Sequence, residues 1–157
     1  MGKTIMLIYK KIQKEDLGHF LDLANKMIYE RGLNETDFDR TMFNFNIKNW
    51  LVDPSVLCFG SFIDEELIGF TLLMIDHPLH NKNKRMNIEL LYVIPQYRTV
   101  EYYKELLGFV YAKSKELKID ILRTQMTNFT LENIEMSTVM MGVGFKLADT
   151  IYDLEIN

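Results

Sequence analysis

Two apolar runs, Val56 to Ile63 and Leu67 to Ile75, lie almost end to end in the middle of this chain, separated only by an acidic step at Asp64-Glu65-Glu66. A break that short can join two strands only if they run antiparallel, because a parallel pair needs a crossover of a dozen or more residues. Both runs are rich in β-branched and aromatic residues, so they predict an antiparallel hairpin. A third run, Met86 to Ile94, follows a polar loop from His77 to Lys84 and is closed by Pro95, which makes the hairpin a meander.

On either side of the meander the apolar period changes from two to about 3.6 residues, the period of a helix. Ile5 to Ile12 reads as a first strand. Glu15 and Asp16 then open a helix that carries Leu17, Phe20, Leu21, Leu23, Ala24, Met27 and Ile28, with Gly32 as its stop. A second helix, from Thr36-Asp37, carries Phe38, Met42, Phe45, Ile47, Trp50 and Leu51 and ends at Asp53-Pro54, where the residue before proline is pushed out of helical geometry. Beyond the meander, Tyr102, Leu106, Phe109, Val110 and Ala112 give a helix to about Leu117, followed by a strand over Ile119 to Met126. A last helix, Leu131 to Met141, ends near Gly142 and Gly144, and Phe145-Lys146-Leu147 with Ile151 to Ile156 reads as a terminal hairpin. The predicted order is β-α-α-β-β-β-α-β-α-β-β. That is one α/β domain over residues 1–157, with a mixed, mostly antiparallel sheet and helices on both faces.

The bulk properties exclude several functions. A chain of 157 residues can bury a core without metals or disulfides. With 18 basic and 22 acidic residues, its net charge of -4 argues against nucleic-acid binding through bulk charge. Lys82, Lys84 and Arg85, with His77 and His80 nearby, form the one concentrated basic patch, either a solvated loop or a phosphate or partner contact. The single cysteine, Cys58, sits in an apolar run as a small core residue and fits a reducing compartment. No apolar stretch approaches the roughly 20 residues that span a bilayer, so no membrane is expected. The first strand leads into lysines with no small-residue cleavage site, so no signal peptide is expected and cytoplasm is the natural location.

Three segments carry a family resemblance. VLCFGSFIDEELIGFTLLMI, the hairpin, resembles the second and third strands of the GNAT (Gcn5-related N-acetyltransferase) fold. ELLYVIPQYR, Glu89 to Arg98, resembles that fold's fourth strand and its exit toward the acyl-CoA loop. ENIEMSTVMMGVGFK, Glu132 to Lys146, is similar to a late helix that begins at an asparagine and ends in Gly-Phe. The resemblance implies a GNAT-like fold, with acetyl-CoA as cofactor if the protein is active and none otherwise, and no metal. It also implies that the strand ending Leu91-Tyr92-Val93-Ile94-Pro95 splays from its parallel neighbour, leaving backbone groups of Leu91 and Val93 to pair with the pantetheine arm.

The loop that follows departs from the family. Active members carry Arg or Gln, two residues, Gly, one residue, then Gly or Ala, so that backbone N–H groups at a helix start can surround the pyrophosphate. With Arg98 at the first position, Thr99 and Val100 follow, Glu101 stands at the first glycine and Tyr103 at the second, and Leu106-Leu107 fall on the family's paired leucines. Like charges about 4 Å apart repel by roughly 4 kcal/mol at an effective dielectric near 20, so Glu101 opposes a pyrophosphate. A tyrosine hydroxyl at 103 adds bulk but can donate to phosphate. Read without the family, RTVEYYKELL is an ordinary helix start, with Thr99 as N-cap and Glu101 offsetting the helix dipole.

The catalytic positions implied by the resemblance depart as well. The usual tyrosine acid is Met140, which with Met136 and Met141 reads as core packing, while the usual asparagine survives as Asn133. A common base position is Asn87, which takes no proton. Glu89, on the same face by alternation, is the remaining carboxylate for that role, and Tyr92 or Tyr103 can supply an acid. These departures together point to a GNAT-fold protein that acts by binding or as a structural component rather than by acyl transfer. The alternative is an active N-acyltransferase with an altered loop, acting on a small amine or a protein amino group. A third is a cleft that keeps a different ligand, uncharged at the old pyrophosphate position. The partner is then a protein or a small amine, and Ile151 to Ile156 offers a strand for a homodimer. Heavy use of Lys, Ile, Asn and Met suits an AT-rich genome, and small divergent GNAT members occur in bacteriophages.

Overall fold

A computed structural model describes residues 6–30, 39–77, 79, 82–125 and 133–146. The elements in chain order are β1 (Leu7–Lys11), a 3-10 turn (Lys14–Asp16), α1 (Leu17–Glu30), α2 (Arg40–Val52), β2 (Val56–Ile63), β3 (Glu66–Asp76) and β4 (Arg85–Val93). A second 3-10 turn (Pro95–Tyr97), α3 (Val100–Glu116), β5 (Ile121–Thr124) and α4 (Asn133–Gly142) complete them. They match the expected order as far as it is described. The expected helix starts at Thr36-Asp37, the stop at Gly32 and nearly all of the terminal hairpin lie outside the described residues.

The five strands form one sheet in the order β1-β2-β3-β4-β5, antiparallel except for the β4–β5 pair, which is parallel. The acidic step turns the chain in two residues, with Asp64 at φ 47° and Glu65 at φ 69°. Two left-handed residues in succession match the right-handed twist of a hairpin, which is why so short a connection works. α1 and α2 cover one face of the sheet, burying Phe20, Met27 and Ile47 against Cys58, Phe70, Leu72 and Tyr92. α3 and α4 cover the other, burying Tyr103, Leu106, Val110, Met136 and Met140 against Ile68, Leu73, Ile88, Leu91 and Val93. Of the three clustered methionines, Met136 and Met140 are core, whereas Met141 points to solvent.

β5 begins at Ile121, two residues later than the alternation predicts. Lys118 adopts φ 55°, the Ile119 N–H closes back on the Ser114 carbonyl (2.9 Å), and the Asp120 N–H donates to the Lys84 carbonyl (2.8 Å). α4 stops where Gly144 takes φ 99°. The Phe145 N–H reaches the Met140 carbonyl and the Gly144 N–H the Met141 carbonyl, the paired bonds of a glycine-terminated helix end.

Candidate functional site

The site follows from how β4 parts from β5. The two strands pair only from Arg85↔Ile121 to Ile88↔Thr124, so along Glu89 to Val93 β4 has no strand on its β5 side among the described residues. The Ile94 N–H donates to the Ile68 carbonyl across β3 (3.0 Å). By alternation, the backbone groups of Tyr92 also face β3, and those of Leu91 and Val93 face the open side. β4 carries one extra residue at the point of parting. Leu73 pairs with Ile88 and Leu72 with Leu90, leaving Glu89 as a bulge.

A shallow cleft opens there, lined by Asn87, Ile88, Glu89, Arg123, Thr124 and Gln125. Glu89 is half-buried, and among the described residues no group donates a hydrogen bond to its carboxylate. Beside it, Arg85 holds Asp76 through two bonds (2.9 and 2.6 Å), and Asn87 donates weakly to the same carboxylate (3.4 Å). Those contacts, led by the Arg85 hydrogen bond and opposed by burial, hold Asp76 below the usual carboxylate range. The basic patch is therefore divided: Arg85 serves β3, the Lys84 ammonium caps α3 at the Leu117 carbonyl (3.0 Å), and His77 and Lys82 are exposed. His80 lies outside the described residues.

The other end of the open edge is filled by side chains. Arg98 donates through Nε to the Val93 carbonyl (3.0 Å) and through its terminal nitrogen to Glu30 (2.5 Å), the last residue of α1. The Tyr92 hydroxyl donates to the other Glu30 oxygen (2.7 Å), and the Arg98 guanidinium lies 5.4 Å from the Tyr92 ring centre. Burial, then the bond to Glu30, pushes the Tyr92 phenol up to about 12. Burial opposes ionisation of Glu30, but the Tyr92 and Arg98 hydrogen bonds outweigh it and lower its pKa.

The start of α3 provides its own acceptors. Thr99 is the N-cap, its hydroxyl accepting from the Tyr102 N–H (3.2 Å) and its carbonyl from the Tyr103 N–H (3.2 Å). The Thr99 N–H itself bonds the Tyr97 carbonyl (2.9 Å), and the Arg98 N–H bonds Pro95 (3.2 Å). Only the Val100 and Glu101 N–H groups remain. Glu101 is exposed in the first turn, so water screens its charge. Tyr103 is fully buried against Tyr102, away from the loop surface. The Tyr102 hydroxyl bonds Ser61 Oγ (2.8 Å) over Gly69, where an added Cβ would stand 2.6 Å from the Tyr92 carbonyl and 3.1 Å from that hydroxyl.

The structure thus brings Leu91, Tyr92, Val93 and Arg98 together at one end of the open edge and Glu89 with Asn87 at the other. Val100 is the first residue of α3 and Asn133 the first of α4, and the Asn133 side chain lies outside the described residues. Sequence reasoning missed Glu30 and Arg123. Nothing local marks Glu30, which lies 62 residues from Tyr92 and 68 from Arg98. Among the described residues no group of three or more His, Cys, Asp or Glu is placed to hold a metal, and no helix is long and apolar enough to cross a membrane.

Residues 21–133 match the model of the acetyltransferase (GNAT) family. The chain belongs to the GNAT family. No curated protein matches it in sequence. Solved GNAT structures share its fold at low identity. A predicted acetyltransferase from Clostridium acetobutylicum, with acetyl-CoA, is 16% identical over 96% of each chain with a TM-score of 0.73. A possible acetyltransferase from Clostridium difficile is 14% identical over 97% of this chain and 99% of that one, at 0.75. An aminoglycoside N-acetyltransferase in complex with CoA is 15% identical over 99% and 98%, at 0.74. In this GNAT chain the start of α3 suits a pyrophosphate poorly: only the Val100 and Glu101 N–H groups are open, the Tyr102 N–H is taken by the Thr99 hydroxyl, and the Glu101 carboxylate stands in the first turn.

Proposed function

We propose that this GNAT-family protein does not transfer acyl groups and acts through binding or as a structural component. The observation that carries this reading is the self-satisfied start of α3. Of the six backbone N–H groups from Arg98 to Tyr103, four bond to acceptors in the same loop, and Thr99 supplies the N-cap. A pyrophosphate would find only the Val100 and Glu101 N–H groups open and would settle beside the Glu101 carboxylate. The partner is a protein or a small amine, in a reducing compartment such as the cytoplasm, and contact with nucleic acid or membrane is not part of the reading. Calorimetric titration of acetyl-CoA into the protein tests it. Binding weaker than about millimolar is expected, and near-micromolar binding overturns the reading.

One observation favours an active, acetyl-CoA-dependent N-acyltransferase instead. Glu89 sits half-buried on a bulge at the open edge, with no donor among the described residues, where a base for an acceptor amine would serve. An assay of acyl transfer to small amines and to peptide amino groups separates the two. Turnover that falls at least tenfold in Glu89→Gln would establish the second reading.

A further inference from the structure

Strand register gathers charge onto one patch of the sheet. Met86 and Ile88 turn to the α3–α4 side, so by alternation Arg85 and Asn87 turn to the other. Asp76 stands opposite Arg85 on β3, and Arg123 stands opposite Asn87 on β5, so all four share that face. Glu89, the bulged residue, lines the same cleft as Asn87 and Arg123. The charges reach one another. Arg85, raised above its ordinary value first by its bond to Asp76, also feels Glu89, and Asp76, lowered first by Arg85, also feels Arg123. Arg85 and Asp76 neutralise each other as an ion pair. Glu89 and Arg123 belong to no ion pair among the described residues. The cleft therefore offers one half-buried carboxylate and one exposed guanidinium, each without a counter-charge of its own.

We propose that this cleft binds a small amino acid as its zwitterion, with the ammonium at Glu89 and the carboxylate at Arg123. The inference rests on the small-amine form of the functional reading and gives that amine a carboxylate. A plain amine would satisfy Glu89 but face the Arg123 guanidinium as a like charge, and a plain carboxylate would meet Glu89 in the same way. A zwitterion meets both with opposite charge, and the parallel N–H groups of a guanidinium suit the two oxygens of a carboxylate. The size agrees: the cleft holds roughly 70 Å³, room for about five water-sized groups, which is the scale of glycine or alanine. Two residues along β4 and one strand across place the Glu89 and Arg123 Cα atoms about 8 Å apart, a span that both side chains can close around such a molecule.

The probes are L-alanine, ethylamine, which lacks its carboxylate, and propionate, which lacks its ammonium. Each is titrated into the isotope-labelled protein without coenzyme A and followed by NMR. The expected result is alanine binding at least tenfold tighter than either fragment, with shifts centred on Asn87 to Glu89 and Arg123 to Gln125. Arg123→Gln should bring alanine down to the level of ethylamine, and Arg123→Lys should keep most of the preference. Glu89→Gln should bring alanine down to the level of propionate. Ethylamine that binds at the cleft as tightly as alanine, or a preference that survives Arg123→Gln, overturns the proposal and leaves the small-amine reading standing. Failure of all three probes to shift the cleft overturns the proposal and points to a protein partner. Near-micromolar acetyl-CoA binding with the alanine preference intact overturns the non-transferring reading and keeps this one.

Discussion

At the scale of single residues, the two positions where the family has glycine carry unlike side chains. Glu101 is exposed and sits in the first turn of α3, where a carboxylate suits the positive end of the helix dipole. Tyr103 is fully buried and is part of the core between α3 and the sheet. Truncating Tyr103 to Ala or Gly is therefore expected to cost about 3–5 kcal/mol in urea denaturation, as for other large buried side chains, whereas Glu101→Gln should leave the midpoint nearly unmoved. A loop reversal meant to restore phosphate binding should accordingly change Glu101 and Thr99 and leave Tyr103 in place. Glu101 and Tyr103 were both legible in the sequence as departures. Their different fates were not, because burial depends on which side of α3 faces the sheet.

At the scale of elements, the start of α3 and the close approach of β3 to β4 decide the site. Thr99→Ala removes the acceptor of the Tyr102 N–H and should lower stability by about 1 kcal/mol, the usual size of an N-cap loss, readable as a shift in thermal midpoint. Gly69→Ala would set a Cβ 2.6 Å from the Tyr92 carbonyl, so it should destabilise by more than the cap variant and disturb the Ser61–Tyr102 bond. Amide exchange faster than the wild type along Gly69 to Val93 would record that local loss, and unchanged exchange there would contradict it. The hairpin, its acidic turn and both outer helices were readable because each is announced by its own residues. The bulge at Glu89 was not, since it appears only when β4 is laid against β3 and one residue is left over.

For the whole molecule, two ion pairs set how stability depends on acid: Glu30–Arg98 links α1 to the turn before α3, and Asp76–Arg85 joins neighbouring strands β3 and β4. Glu30 and Asp76 both titrate below their ordinary values of 4.5 and 3.8, Asp76 chiefly through its hydrogen bond to Arg85 and Glu30 through Tyr92 and Arg98 against the cost of burial. A carboxylate with a lowered folded-state pKa contributes stability that is present above its unfolded value and lost as pH falls through the folded one. The stability gap between wild type and Glu30→Gln should therefore be constant above about pH 4.5 and close below it; a gap that instead widens in acid would contradict the assignment. Because Glu30 is more than a third exposed, the gap should also shrink with added salt. By itself the sequence determined the element order, the mixed sheet and the loss of the glycine loop, since strand period, helix period and turn chemistry are local properties of a few neighbouring residues. Only the tertiary structure decided that Tyr103 is core, that Glu89 is a bulge and that Arg98 closes on Val93 under the hold of Glu30. Those facts depend on strand register and on contacts across more than sixty residues, which no local pattern encodes.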